Sequence, residues 1–341
     1  MEDWVVKLAA ALSTEFQVSV ATYGPCHPVI LAQLKSHGVE WFDLSAIEKS
    51  LSSARRWIKC HASIAHFSLF APRSKIVVAA QTVRGTRVIF QDCYSTPTDA
   101  GAFPSAASTF ADRFTFSRVA RVIAISAFVE SRLQERFRVD AGKLSMIYNG
   151  VDGARFHSVA PPSSCARILC VAALIPDKGV DYLLRAFSML PETGMRLDIC
   201  GEGPERARLE DLAQSLGISG RVAFLGMRDD VDQLLQQAAF SVHPATWGEA
   251  FGLTIAEAMA AGRAVIGCAV GAVPELILDG VTGFVVPAAD ADALAESMER
   301  LVRNGGLRDQ LGSAARARVE ERFGMSEWVA RHRDAVRQSA S

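Results

Sequence analysis

The stretch E-A-F-G-L-T-I-A-E at residues 249–257 decides how the second half of the chain folds. It follows an apolar run at residues 240–245, which is typical of a short buried strand. After Gly252 the apolar residues recur at helical spacing, and Gly262 closes the segment. A strand, a loop and a helix in this order are the repeating unit of a fold with a parallel sheet covered by helices.

The same window predicts a binding site. Glu249 lies in the loop and Glu257 lies on the helix. Backbone N–H groups at a helix start have no acceptor within the helix and form an anion site. Here they belong to Phe251, Gly252, Leu253 and Thr254. Two carboxylates beside an anion site suit a ligand with both hydroxyls and phosphates, which points to a nucleotide sugar.

Five motifs in this order resemble those of the retaining glycosyltransferases of family four. They are I-Y-N-G-V-D (147–152), V-A-A-L-I-P-D-K-G (171–179), G-E-G-P (201–204), the window at 249–257, and G-A-V-P-E-L-I-L-D-G-V-T-G-F-V-V-P (271–287). The resemblance implies an α/β protein with the GT-B fold, in which two Rossmann-like, doubly wound domains face a cleft. It is dense in the second half of the chain and loose in the first.

Length and composition fit two domains without a nucleic-acid partner. The chain has 341 residues, of which 50% are hydrophobic, and this is enough for two cores. A net charge of −1 leaves no basic surplus for binding phosphate backbones. The seven cysteines include no C-x-x-C pair, which favours buried thiols in a reducing cytosol. No apolar stretch is long enough to span a membrane, so we predict a cytoplasmic protein.

Strand-like runs alternate with helical patterns along the whole chain. We predict an acceptor-side domain at residues 1–151, a linker at 152–166, a nucleotide-sugar domain at 167–323 and a final helix at 324–341. The resemblance implies that this last helix crosses back to the first domain. The predicted strands are 17–22, 64–68, 87–91, 121–126 and 144–148 in the first half, and 167–172, 196–200, 222–225, 240–243, 264–268 and 283–286 in the second.

The N-terminal sequence departs from the family pattern. The family begins with a strand and a glycine-rich turn, whereas residues 1–4 here lead directly into a predicted helix at 5–13. The first strand of a doubly wound sheet is central, so its loss leaves neighbouring strands without partners. We expect a misassigned start or a truncated fragment in preference to natural loss, and an N-terminally incomplete first domain.

Lys178 is the candidate for the positive charge that a leaving nucleoside diphosphate requires. It follows a predicted strand at the edge where open α/β sheets bind ligands; a solvated loop lysine is the alternative. In the family an arginine stands five residues before this lysine, at the position of Ala173. The departure removes one charged contact and predicts weak donor binding, unless Arg206 or Arg228 compensates.

The resemblance implies roles for the other donor-side residues. Glu249 faces the donor sugar and stabilises charge at the anomeric carbon. Glu257 accepts hydrogen bonds from the ribose hydroxyls, with a solvent-exposed helix glutamate as the alternative. Gly203 lies in a turn that borders the nucleotide, and the loop with Met227 and Arg228 lies beside the base.

The acceptor side is less well defined. Where the family commonly has a histidine before an aspartate, this chain has Gln91 before Asp92, and glutamine cannot shuttle a proton. His66 ends a predicted strand and either points into the cleft or is structural. We interpret His243 as a packing or backbone-bonding residue. The basic stretch at 53–59 is a solvated helix face, or else a peripheral contact with the inner face of the membrane.

The sequence therefore predicts a metal-independent enzyme that moves a sugar, with retention of configuration, from a nucleoside diphosphate sugar to a cell-surface glycan or lipid-linked acceptor. It predicts no cofactor and no metal site, since no D-x-D motif stands at a strand end. A catalytically degraded module that binds sugar nucleotides is the first alternative, favoured by Ala173, Gln91 and the missing strand. A nucleotide-sugar epimerase is the second, and a nicotinamide dehydrogenase is the weakest.

Overall fold

The computed structural model describes residues 2–23, 26–47, 50–68, 74–92, 106–156, 167–192 and 194–340. The chain forms two compact α/β units. Unit 1 comprises Met1–Gly150 and Ser326–Ser341, and unit 2 comprises Val151–Met325. Residues 152–156 of the predicted linker belong to unit 2, and residues 157–166 lie outside the described residues.

Unit 1 alternates helices with parallel strands. Its helices are α1 (Glu2–Ser13), α2 (Pro28–Ser36), α3 (Leu44–Ile47), α4 (Leu51–His61), α5 (Lys75–Thr82), α6 (Ala106–Ser117) and α7 (Ala127–Glu135). Its strands are β1 (Ser19–Thr22), β2 (Glu40–Asp43), β3 (Ile64–Ser68), β4 (Arg87–Asp92), β5 (Arg121–Ala124) and β6 (Leu144–Met146). They form two sheets, β1-β2 and β3-β4-β5-β6, and all pairings are parallel.

Unit 2 has one continuous sheet. Its strands are β7 (Arg167–Val171), β8 (Arg196–Cys200), β9 (Val222–Gly226), β10 (Phe240–His243), β11 (Ala264–Cys268) and β12 (Gly283–Val286). Its helices are α8 (Val180–Met189), α9 (Arg206–Ser215), α10 (Val231–Gln237), α11 (Leu253–Ala260), α12 (Val273–Leu276), α13 (Ala291–Arg303) and α14 (Gly305–Arg322). The strand order is β12-β11-β10-β7-β8-β9, with the first strand, β7, in the centre.

The predicted strands of the second half are all present, to within one residue at their ends. Most of their interior positions are buried and apolar, because helices cover both faces of a parallel sheet, whereas all five residues of the edge strand β9 are only partly buried. In unit 1 the sequence did not predict β2, a four-residue strand E-W-F-D with a charged residue at each end. The predicted strand at 121–126 ends two residues earlier, where Ser126 caps α7 by accepting a hydrogen bond from the Val129 N–H.

The last helix, α15 (Met325–Ala340), belongs to unit 1 from Ser326 onward. The ring of Trp328 packs edge to face on Trp4, with centroids 5.5 Å apart. Arg337 forms a bidentate ion pair with Glu15 at 2.7 and 2.8 Å. One apolar contact and one charged contact therefore hold this helix beside α1. Within the described residues, none of the helices has the length and hydrophobicity required to cross a membrane.

Candidate active site

Three loops of unit 2 pack together at the carboxyl edge of its sheet. They follow β7, β10 and β11, and glycines allow their close approach. Gly179 has a φ of +61°, and a Cβ there would lie 2.1 Å from the carbonyl oxygen of Pro244. Gly271 has a φ of +54°, and a Cβ there would lie 2.1 Å from the carbonyl oxygen of Glu249. Since any side chain would clash at both positions, glycine fixes the backbone that carries Glu249.

Lys178 and Glu249 meet at the centre of these loops. A short 3-10 turn at Pro176–Lys178 ends at Gly179 and carries the lysine. The Lys178 Nζ donates to Glu249 Oε2 at 2.7 Å, and the two side chains are 29% and 17% exposed. The structure thus brings together the two residues that the sequence assigned to the diphosphate and to the sugar.

His243 is a member of this cluster that the sequence did not identify. Its Nε2 lies 3.4 Å from Glu249 Oε2, and its Nδ1 lies 3.3 Å from Thr254 Oγ1. A Thr254 hydroxyl that donates to Nδ1 leaves the proton on Nε2, where it faces the carboxylate. The interpretation of His243 as a packing residue was therefore incomplete. The available signal was its position at the carboxyl end of β10, beside the loop of Glu249.

Glu249 is held in its ionised form. Burial by itself raises the pKa of this carboxyl, but the contacts with His243 and Lys178 outweigh it and lower the pKa to about 2. The carboxylate is therefore charged at neutral pH. It can accept hydrogen bonds from hydroxyls but cannot donate a proton.

The helix α11 begins next to this cluster. Gly252, with a φ of +97°, precedes its first residue, and the buried ring of Phe251 packs on Phe323 with centroids 5.7 Å apart. The first N–H groups of the helix, at Leu253 and Thr254, have no acceptor within the helix. The predicted anion site therefore lies on the same loop as Glu249, and the side chain of Phe251 anchors that loop.

Glu257 lies on α11 and is partly buried. Burial raises the pKa of its carboxyl, and the charge of Arg155 opposes that effect. In the described part of the chain its carboxylate makes no hydrogen bond. Glu257 is thus a partly desolvated acceptor rather than the solvent-exposed helix glutamate of the alternative interpretation.

The predicted turn at 201–204 supports the loop that contains Ala173. A Cβ at Gly203 would lie 2.3 Å from the Leu174 carbonyl oxygen, and the Leu174 N–H donates to the Glu202 carbonyl at 2.9 Å. Gly203 is therefore required for the contact between the loop after β8 and the loop after β7. The exposed side chain of Ala173 lies on the loop after β7. The helix α9 starts at Arg206, two residues after Pro204, so Pro204 lies in the turn.

Arg206 and Arg228, which could compensate for the arginine that Ala173 replaces, are paired with neighbouring carboxylates. Arg206 binds Glu202 and Glu210, each four residues away on the same segment. Arg228 makes two hydrogen bonds to Asp230, at 2.8 and 2.6 Å. Either arginine would have to leave its carboxylate in order to bind a phosphate. Next to Arg228, the side chain of Met227 is 82% exposed.

Two D-x-D triplets, at 230–232 and 290–292, lie at helix starts. Asp230 is bound by Arg228, and Asp290 caps α13 by accepting from the Ala293 N–H at 2.9 Å. In the residues that the structure describes, His, Cys, Asp and Glu side chains form no group of three or more that could hold a metal. Asp230 and Asp290 therefore have local structural roles.

In unit 1 the predicted acceptor-side residues are engaged in internal contacts. Gln91 is buried, and its Oε1 lies 3.1 Å from Ser68 Oγ and 3.1 Å from His332 Nε2. Asp92 forms a buried ion pair with Arg132. The His66 ring lies 5.7 Å from that of His332; burial, and secondarily this neighbour, lowers the pKa of His66 to about 3. His66 is therefore neutral at physiological pH.

Comparison with known proteins agrees with this architecture. Residues 1–155 match the family model described as Glycosyltransferase Family 4, and residues 156–318 match the one described as Glycosyl transferases group 1. A glycosyltransferase from Rickettsia africae ESF-5 superposes with a TM-score of 0.84 at 20% identity, over 100% of this chain and 95% of that chain. HepE from Anabaena, in complex with UDP-glucose, gives a TM-score of 0.84 at 19% identity, over 99% and 95%.

An uncharacterized glycosyltransferase of Methanocaldococcus jannaschii is 31% identical over 219 residues, which are 60% of this chain and 56% of that protein. The chain spans about half or less of the length of the curated relatives that it matches. Two α/β units with parallel sheets and these structural neighbours define the GT-B class of fold. The two family models, both of glycosyltransferases, follow one another along residues 1–318, and the chain is similar to GT-B glycosyltransferases in both halves.

Proposed function

We propose that the protein transfers a sugar, with retention of anomeric configuration, from a nucleoside diphosphate sugar to a glycan or lipid-linked acceptor in the cytoplasm. The observation that carries this proposal is the contact between Lys178 and Glu249 beside the N-terminus of α11. One cation, one carboxylate and a set of backbone donors suit the two halves of such a donor. The diphosphate takes the cation and the N–H groups, and the sugar takes the carboxylate.

Donor binding exchanges one ion pair for another. A phosphate that reaches Lys178 replaces Glu249 as its partner, and the N–H groups at the start of α11 stabilise the same negative charge. As the bond to the sugar breaks, charge develops on the leaving diphosphate, and these groups stabilise it in the transition state. Glu249 is then free to accept from sugar hydroxyls and to stabilise positive charge at the anomeric carbon.

The neighbours of the site support this arrangement. His243 Nε2 lies 3.4 Å from the same Glu249 oxygen that accepts from Lys178, and the glycine contact at residue 271 fixes the backbone of Glu249. Glu257, partly desolvated on the same helix, suits the ribose hydroxyls. We propose that the diphosphate is held without a metal, because protein cations and N–H groups supply the positive charge. HepE is named as a complex with UDP and with UDP-glucose, so UDP-glucose is the first donor to test.

The test is a transfer assay with UDP-glucose and a panel of other nucleotide sugars, in the presence of a chelator. We expect nucleoside diphosphate to be released only when an acceptor is present, and NMR to show that the product keeps the configuration of the donor. Lys178→Ala should lose both transfer and diphosphate binding. Conversion of the donor sugar in the absence of an acceptor would favour an epimerase. If the protein binds nucleotide sugars but transfers none of them, a catalytically degraded module is favoured.

A further inference from the structure

The first residues of unit 2 form a closed turn that ends in a buried ring. The Val151 N–H donates to the Phe323 carbonyl at 2.8 Å, and the Arg155 N–H donates to the Asp152 carbonyl at 3.1 Å. Val151 and Phe156, on either side of the turn, are both buried. These attachments fix the backbone of Arg155, whereas its side chain is exposed.

This turn is attached to both ends of α11. A single atom, Arg316 Nη1, lies 3.4 Å from the Phe156 carbonyl oxygen and 3.5 Å from that of Ala260, the last residue of the helix. At the other end, Phe323, whose carbonyl binds the start of the turn, packs on Phe251 with ring centroids 5.7 Å apart. The turn therefore runs alongside the helix that carries the proposed acceptor of the ribose hydroxyls.

The guanidinium of Arg155 is close to two parts of the proposed nucleotide site. Its Nη2 donates to the carbonyl of Asp229 at 3.5 Å, in the loop after β9 that the sequence places beside the base. Its Cζ lies 5.6 Å from the centroid of the Phe156 ring. Burial raises the pKa of the Glu257 carboxyl, and the positive charge of Arg155 opposes this rise. One cation therefore acts on both the base loop and the ribose acceptor.

Arg155 differs from the other cations considered for this site, because it has no carboxylate in direct contact. Lys178, Arg206 and Arg228 are each held by an ion pair. In the part of the chain that the structure describes, Arg155 enters no ion pair, and its charge reaches Glu257 without a hydrogen bond. A carboxylate that is partly buried and makes no hydrogen bond favours a ligand that brings hydroxyl donors.

We propose that Arg155 is a positioning residue for the nucleotide: its guanidinium keeps the Glu257 carboxylate charged and available to the ribose hydroxyls. This role rests on the proposed function, in which Glu257 accepts from the ribose. An ionised carboxylate has only acceptors, and both ribose hydroxyls can donate to it, whereas a protonated carboxyl loses acceptor capacity. Because Arg155 acts without a hydrogen bond to Glu257, the nucleotide does not have to displace it, in contrast to Lys178 on Glu249.

The experiment compares two ligands that differ only in the ribose hydroxyls. UDP, ADP and GDP are titrated into the full chain by calorimetry, and the tightest binder is then compared with its dideoxy form, which lacks both hydroxyls. Arg155→Gln should weaken binding of the ordinary nucleotide by roughly two- to tenfold, the range of a partly screened charge interaction, and should leave binding of the dideoxy form unchanged. Arg155→Lys keeps the charge and should retain most of the affinity. Arg185→Gln, which removes an exposed arginine of α8, is the control and should change neither constant.

A double-mutant cycle with Glu257 tests whether the effect passes through this carboxylate. In the Glu257→Gln background, Arg155→Gln should cause no further loss of affinity, because the charge on which it acts is gone. Three results would overturn the role of Arg155: unchanged nucleotide binding in Arg155→Gln, an equal loss with the ordinary and dideoxy forms, or an equal loss in both backgrounds. If the unsubstituted chain binds none of the three nucleotides, the proposed function itself is contradicted, and the role of Arg155 with it.

Discussion

The Nζ atom of Lys178 lies 2.7 Å from Oε2 of Glu249, so each of these charges neutralises the other in this structure. Because the proposed reaction needs the lysine for the diphosphate and the glutamate for the sugar, the ion pair competes with the donor for both. The contact is partly shielded from water, which makes the charge of Glu249 a direct determinant of donor affinity. Removing the charge of Glu249 should therefore lower the rate of sugar transfer without weakening the binding of the nucleotide.

We expect Glu249→Gln to lower the transfer rate by roughly 10- to 150-fold or more, the equivalent of one charge-assisted hydrogen bond of about 1.5–3 kcal/mol. Calorimetry with UDP should show unchanged or tighter binding, since Lys178 loses its competing partner. Glu299→Gln, which removes an exposed helix ion pair with Arg303, is the control and should change neither quantity. Near-normal transfer in Glu249→Gln would exclude Glu249 from the reaction.

Thr254 should act as a positioning residue through His243. Thr254→Val keeps the shape and the backbone N–H but removes the hydroxyl that faces His243 Nδ1 at 3.3 Å. We expect transfer to fall by up to about tenfold, the range of one neutral hydrogen bond. The acidic limb of the pH–rate profile should also move to higher pH, because a less well oriented His243 lowers the pKa of Glu249 less.

The control for this variant is Thr14→Val, which removes an exposed helix-end hydroxyl. A lower rate with an unmoved pH profile would assign Thr254 a structural role only.

The sequence predicted unit 2 well because central strands of a parallel sheet are continuous apolar runs that periodicity detects. The meeting of Lys178 and Glu249 was also predictable, since both follow the carboxyl ends of neighbouring strands, β7 and β10. The strand β2 was missed because its four residues begin and end with a charge. The contact between Gln91 and His332 could not be predicted, because 241 residues separate them and local pattern says nothing about such pairs.

Glu257→Ala should weaken the binding of free UDP. A carboxylate that accepts from two ribose hydroxyls contributes about 1.5–3 kcal/mol, or roughly 10- to 150-fold in dissociation constant. Glu257→Gln is the matched variant, because it keeps one acceptor oxygen and should lose less affinity. Calorimetry provides both constants. An unchanged dissociation constant in Glu257→Ala would mean that the partly buried carboxylate has no contact with the nucleotide.

The stability of unit 1 should fall as the pH decreases from 6.5 towards 4. Burial lowers the pKa of His332 to about 4, against the raising effect of its hydrogen bond to the Trp328 carbonyl. The folded pKa lies below the unfolded value, so the unfolded chain takes up the proton first and the stabilisation is lost on acidification. At pH 5 the loss from this residue alone is about 2 kcal/mol.

Chemical denaturation of the full chain at pH 7.5 and pH 5 measures this effect. His332→Gln should make the loss between the two pH values smaller, whereas the exposed His37→Gln should not. If the free energy of unfolding falls by the same amount in the unsubstituted chain, His332→Gln and His37→Gln, His332 titrates with its ordinary pKa and contacts solvent.

The position of Ala173 should accept a second cation for the diphosphate. Its exposed side chain lies on the loop after β7, which also carries Lys178. The backbone of this loop packs closely on Gly203. We expect Ala173→Arg to tighten donor binding by up to roughly 10- to 150-fold, the range of one charge-assisted hydrogen bond. Ordering the long side chain will remove part of this gain.

Ala173→Gln is the matched control for Ala173→Arg, because it adds a long polar side chain without the charge. Calorimetry with UDP at two salt concentrations gives the comparison, and the gain from arginine should shrink at high salt because the contact is solvent-exposed. Equal affinity in the arginine and glutamine variants would mean that another cation already occupies this place. Arg206 and Arg228 would then have to leave their carboxylates to reach it, so truncating each of them in turn would identify which one does.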